Sequence, residues 1–189
     1  LAAAELQAYV AKISGATLPI VTEPTDGAAV RIYVGKSRHT EALGLAVDEL
    51  RHGAFRMATG ENHLALLGPD RDFVPVEPYP RKRSDVPRVL REWDAISGST
   101  FATPYSQIYR YHVPDLDLWL LDDAGTLNAV HEFLRGLGVR WYFPGELGEI
   151  VPRQANLALP EAPDRTVRPD FPLRNVMWWG MQHGLPAEE

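Results

Sequence analysis

The sequence predicts an α/β unit, a small mixed sheet with helices packed on it. Three observations predict it. An amphipathic helical pattern opens the chain, three short apolar runs bounded by glycine lie between residues 31 and 68, and a second helical pattern at 125–138 runs directly into the aromatic string Val139-Arg140-Trp141-Tyr142-Phe143.

In the opening stretch LAAAELQAYVAKIS, helical spacing puts Leu6, Tyr9, Val10 and Ile13 on one face, with Gly15 as a stop signal and Pro19 beyond. The runs RIYVG (31–35), AFRMATG (54–60) and HLALLG (63–68) read as strands of one sheet, the last two joined through Glu61-Asn62 at hairpin spacing. From Pro69 to Pro114 prolines recur, and residues 81–94 gather Arg81, Lys82, Arg83, Arg88 and Arg91. Residues 69–123 are therefore read as an insertion carrying one short helix, with LDLWLL (116–121) as a strand that returns to the core. In GTLNAVHEFLRGLG, Leu127, Val130, Phe133, Leu134 and Leu137 share a helical face and Gly138 ends it.

The string that follows reads as a strand packed under that helix, Val139, Trp141 and Phe143 inward and Arg140 and Tyr142 outward, before Pro144-Gly145 turns the chain. The alternative is that its rings, beside Glu146 and Glu149, stack on a sugar-like ligand, with Tyr142, Trp119 or Trp141 as the platform. Five prolines mark residues 152–172, a linker pattern.

Composition narrows the function. A net charge of −6 argues against a dedicated nucleic-acid binder, which gathers a basic excess on one face. With no cysteine there is neither a disulfide framework nor a thiolate metal site, and the compartment stays open. No apolar run approaches the roughly 20 residues a membrane helix needs. Leu1 is no initiator methionine and the chain opens inside a helix, so it is read as a piece of a longer protein.

The chemical motifs read as structural. YVGKS (33–37) lacks the glycine a phosphate loop needs five residues before Gly35, because Val30 stands there. HEFLR (131–135) has Arg135 where a zinc helix needs its second histidine, and the six histidines otherwise show no ligand spacing, so neither metal nor cofactor is expected. The basic cluster reads as a solvated face, and Asp122-Asp123 as caps for the helix at 125. No Gly-x-Ser-x-Gly elbow occurs, and spacing does not report a carboxylate pair, so no catalytic residue is assigned.

Taken together, AAAELQAYVAKISGATLPIV, RIYVGKS, GTLNAVHEFLRGLGVRWYFPGELGEIVP and RPDFPLRNVMWW resemble the N-terminal domain of family-67 α-glucuronidases and of related bacterial proteins that join this domain to a hydrolase-like barrel. The likeness spans residues 1–68 and 124–179, and the helix followed by GVRWY and PGE is its most specific part. It implies a small α/β sandwich similar to the accessory domain of β-hexosaminidases, placed before a (β/α)8 barrel that carries the chemistry. On that basis residues 1–152 form the accessory domain, 153–172 a linker, and 173–189 the first barrel strand. The domain would be non-catalytic, its partner its own C-terminal barrel, and the whole a glycoside hydrolase acting on an oligo- or polysaccharide. The resemblance places Trp179 near the sugar with Arg174 before it, and Trp178 beside it on the same strand end. Two features depart from the family: no strand precedes the opening helix, and 69–123 replaces a short connection. Gly180 also stands where the family has an aspartate after the tryptophan.

Overall fold

The computed structural model describes residues 1–24, 27, 30–74, 78–81, 83–98, 112–113, 118–119, 122–157 and 164–171. Helix α1 (Ala2–Ser14) buries Leu6, Tyr9, Val10 and Ile13 and ends at Gly15, whose left-handed φ of 79° lets its amide reach the Ala11 carbonyl at 2.9 Å. Strand β1 (Arg31–Val34) stops before Gly35, and the short α2 (Arg38–Ala42) is capped by Ser37 and Thr40 in reciprocal hydrogen bonds. Strands β2 (Phe55–Gly60) and β3 (His63–Leu67) form the expected antiparallel hairpin, with Gly60 opposite His63 across the two-residue turn. β1 lies parallel to β3 on its other side.

The insertion leaves and returns through a two-stranded neck, β4 (Asp70–Arg71) against β7 (Asp123–Ala124). Between them, α3 (Val86–Ser97) buries Val89 and is held by Trp93, whose indole Nε1 donates to the Pro78 carbonyl at 2.8 Å. Of the expected strand LDLWLL the described part, β6 (Leu118–Trp119), pairs with β5 (His112–Val113) in a two-stranded sheet and not with the main sheet.

Helix α4 (Gly125–Gly136) crosses the sheet and buries Ala129, Val130, Phe133 and Leu134, as its periodicity predicts, with Leu137 buried just past its end. The predicted Leu127 is only half-buried; Thr126 takes the inner place at the first turn. After α4 come β8 (Arg140–Trp141) and its partner β9 (Glu149–Ile150). Inside the stretch read as a linker, residues 165–167 form β10 (Arg165–Val167), which pairs antiparallel with β2. The sheet order is β1-β3-β2-β10. A three-residue strand among prolines gives no period to read. Arg56, whose Nε lies 2.6 Å from Asp164 Oδ1, fastens it to the sheet.

The fold class therefore stands as a mixed α/β arrangement with a small mixed sheet. Helices α1 and α4 cover one sheet face, burying Leu64 and Leu66, while Leu45, Val47 and Leu50 cover the other over Ala65 and Leu67. β3 is buried on both sides, which is why its sequence is apolar throughout rather than alternating. Leu134→Ala or Leu66→Ala should therefore cost about 2–5 kcal/mol of unfolding free energy in chemical denaturation. Leu147→Ala, at an exposed position, should leave the midpoint unchanged.

Candidate functional site

Sequence alternation put Trp141 and Phe143 inside, and the structure turns them out. Val139 is fully buried, but Trp141 is 40% exposed, Tyr142 69%, Phe143 55%, Leu147 94% and Ile150 53%. Among the described residues β8 pairs with β9 alone, and no sheet face among them lies behind it to receive alternate side chains. The result is a loop with three aromatic and two aliphatic side chains open to solvent.

This loop is built stiffly. The Tyr142 amide donates to the Gly148 carbonyl at 2.8 Å and the Gly148 amide to that of Gly145 at 3.0 Å, closing the turn on a Gly145 φ of 91°. Gly148 is packed so tightly on the Phe143 carbonyl that a Cβ there would overlap it.

Helix α1 supplies the backing. Trp141 Nε1 donates to the Tyr9 hydroxyl at 2.6 Å, the two rings meet edge-on with centroids 5.3 Å apart, and Tyr9 in turn donates to Glu149 Oε1. Lys12 Nζ lies 2.8 Å from Glu149 Oε2 and 4.6 Å above the Tyr9 ring. On the other side His131 tilts against the indole at 5.2 Å and sits 3.4 Å from Glu5. Hydrogen bonds from Lys12 first and Tyr9 second hold the Glu149 carboxyl below its ordinary value. Burial, then the bond to Glu149, pushes the Tyr9 phenol up, and the same carboxylate raises Lys12.

Two open grooves flank Trp141. One, of about 590 Å³, runs between Tyr9, Lys12, Phe143 and Glu146. The other, of about 490 Å³, lies between α4 (Asn128, His131, Arg135) and the outgoing chain at Val167 and Pro169. Tyr9 and Lys12 escaped the sequence reading because they lie about 130 residues from Trp141. The one available signal was that a buried tyrosine hydroxyl needs a partner.

Other expected features resolve differently. Trp178, Trp179 and Arg174 lie outside the described residues. Trp119 belongs to β6, which pairs with β5 and not with the main sheet. Asp122 and Asp123 do not cap α4: Asp70 does, accepting from the Thr126 amide at 3.0 Å. Asp123 instead accepts from the Gly53 amide at 2.8 Å, and the Asp122 carboxylate, buried, takes the Phe73 amide and the Arg81 guanidinium. Arg81 thus leaves the solvated basic face, whereas Arg88 stays on it, paired with Glu92. Lys36, of the YVGKS stretch, bonds Asp48 at 2.9 Å. Glu132 of the zinc-like stretch is held by Arg135 and Arg165.

Among the described residues no helix is long and apolar enough to cross a membrane. Compared with known protein families, with curated proteins and with solved structures, the chain matches none.

Glu149→Gln should cost roughly 1–2 kcal/mol at neutral pH, as for a hydrogen bond to a charged group. Since the folded value lies below the unfolded one, this contribution is complete above the ordinary glutamate range and fades as pH falls through the folded value. Unfolding curves of wild type and variant should therefore converge on acidification. Gly148→Ala should broaden the aromatic resonances of Tyr142 and Phe143 in NMR spectra while leaving those of the buried core in place.

Proposed function

We propose that the chain is the non-catalytic N-terminal accessory domain of an α-glucuronidase-like glycoside hydrolase, and that its aromatic loop is the surface offered to the catalytic barrel that follows. One observation carries the docking role. The exposed patch of Trp141, Tyr142, Phe143, Leu147 and Ile150 lies beside the path by which the chain leaves the sheet, since Trp141 shares a groove with Val167 and Pro169. The described chain thus leaves the sheet beside Trp141, toward the domain expected from residue 173. Exposed apolar side chains gathered on one loop mark interaction sites in folded proteins. A loop held rigid before docking loses little conformational entropy when it is covered.

The chemistry of the patch favours protein over sugar as the covering partner. Sugar rings stack on flat, open aromatic faces, but the Trp141 indole is already engaged by Tyr9 and His131, and Leu147 and Ile150 are branched aliphatic side chains. The carbohydrate role belongs to the whole protein and rests on the resemblance of residues 1–68 and 124–179, as does a sugar contact at Trp178, Trp179 and Arg174.

Leu147→Asp combined with Phe143→Asp tests this. In the 189-residue chain the pair should leave the unfolding midpoint unchanged, while in the natural product extended through the barrel it should split one unfolding transition into two. The wild-type chain alone should hydrolyse neither aryl-glycosides nor uronic-acid oligosaccharides. Quenching of tryptophan fluorescence by oligosaccharides, abolished by Tyr142→Ala, would replace docking with a carbohydrate-binding module.

A further inference from the structure

The aromatic loop carries two glutamates, and the fold treats them differently. Glu149 faces α1, where Lys12 bonds its Oε2 at 2.8 Å and the Tyr9 hydroxyl donates to its Oε1. Glu146 sits in the short turn closed by Gly145 and Gly148, is exposed, and pairs with no cation among the described residues. Both line the groove of about 590 Å³ whose walls carry Tyr9, Trp141, Tyr142 and Phe143.

The charges of this groove do not cancel. Lys12 and Glu149 neutralise each other as a pair, so Glu146 leaves one net negative charge among aromatic side chains. Ring faces are themselves the negative pole of a quadrupole, and a cation held over a ring and beside a carboxylate gains from both. The molecule already makes this arrangement once, with Lys12 Nζ bonded to Glu149 and 4.6 Å above the Tyr9 ring. Glu146, with Tyr142 and Phe143 in the same groove, repeats the carboxylate and the rings without a cation of its own.

We infer that this groove receives an arginine side chain of the domain that follows, its guanidinium set on the rings of Tyr142 and Phe143 and against the Glu146 carboxylate. The inference rests on the docking role of the loop and gives the docking partner its chemistry. Glu146 lies between Phe143 and Leu147, so a surface that covers those two side chains takes the carboxylate out of water with them. A buried carboxylate is tolerated when it is paired and hydrogen-bonded, and costs heavily when it is alone. A neutral or acidic side chain at this place would leave it alone. Arginine suits the site better than lysine, because its planar guanidinium lies flat on a ring while its N–H edge meets a carboxylate, and it sheds water more readily than an ammonium.

Two probes of nearly the same shape test the groove in the 189-residue chain: N-acetyl-arginine amide, and N-acetyl-citrulline amide, which lacks the charge. The aromatic NMR resonances of Tyr142 and Phe143 report binding. Arginine should shift them saturably and bind at least about tenfold more tightly than citrulline, as for a hydrogen bond between charged groups. Glu146→Gln keeps the size of an exposed side chain and should bring arginine down to the citrulline level, with the far-UV circular dichroism spectrum unchanged. Equal response to the two probes overturns the inference, and so does an arginine preference that survives Glu146→Gln. In the product extended through the following domain, Glu146→Gln should lower the midpoint of the single unfolding transition, more at low salt than at high. A transition that the Phe143→Asp, Leu147→Asp pair splits but Glu146→Gln leaves unchanged overturns the arginine and keeps the docking surface. One that neither alters overturns both.

Discussion

The close approach of two glycine backbones, Gly68 at the end of β3 and Gly125 at the start of α4, is the constraint from which the rest of this molecule is suspended. A Cβ on Gly68 would fall 2.5 Å from the Gly125 carbonyl carbon, and one on Gly125 would fall 2.6 Å from the Ala54 carbonyl oxygen. With the backbones this near, the Thr126 hydroxyl both accepts from the Gly68 amide at 3.2 Å and donates to its carbonyl at 3.1 Å. The Gly125 amide reaches Pro69 at 2.9 Å. Buried polar groups are thus satisfied in pairs, and the first turn of α4 is welded to the sheet. The same joint closes the neck of the insertion, so a long excursion leaves and returns without loosening the core. From this fixed start α4 carries its far end to Val139, and its packing on α1 brings Tyr9 under Trp141.

What was legible in the sequence follows from how local each signal is. α1, with a four-residue apolar face and a glycine stop, and the hairpin at Glu61-Asn62 depend on neighbours a few positions apart, and both stand where the pattern put them. The cap of α4 was misread for the opposite reason. Asp122 and Asp123 have the right chemistry in the right place, yet Asp70 from the neck strand takes the Thr126 amide, a choice made by tertiary geometry. β10 was illegible because three residues offer no period; it exists because β2 has an edge to fill and Arg56 holds Asp164 there.

The aromatic string shows a subtler limit. Alternation correctly placed Val139 inside, but alternation has meaning only where a sheet face lies behind the strand. β8 belongs to a two-stranded ribbon, so the following rings found solvent on one side and a single helix on the other. Burying a ring of this size stabilises a protein by roughly 1.5–3 kcal/mol. Leaving three aromatic residues in a row substantially exposed on a loop this rigid forgoes that stabilisation in the isolated domain. It is recovered only if something else covers them.

The two margins of the sheet differ from that loop in their chemistry. On β10, Arg165 and Thr166 are exposed and Arg165 is paired with Glu132, so that edge is dressed in polar side chains that discourage a further strand. On β1, at the other margin, Arg31 is half-buried and Lys36 just past the strand bonds Asp48 at 2.9 Å, so charge stands there as well. Charge thus stands at both margins of the four-stranded sheet, Arg165 on β10 and Arg31 on β1, whereas the loop of Trp141, Tyr142 and Phe143 turns its rings to solvent.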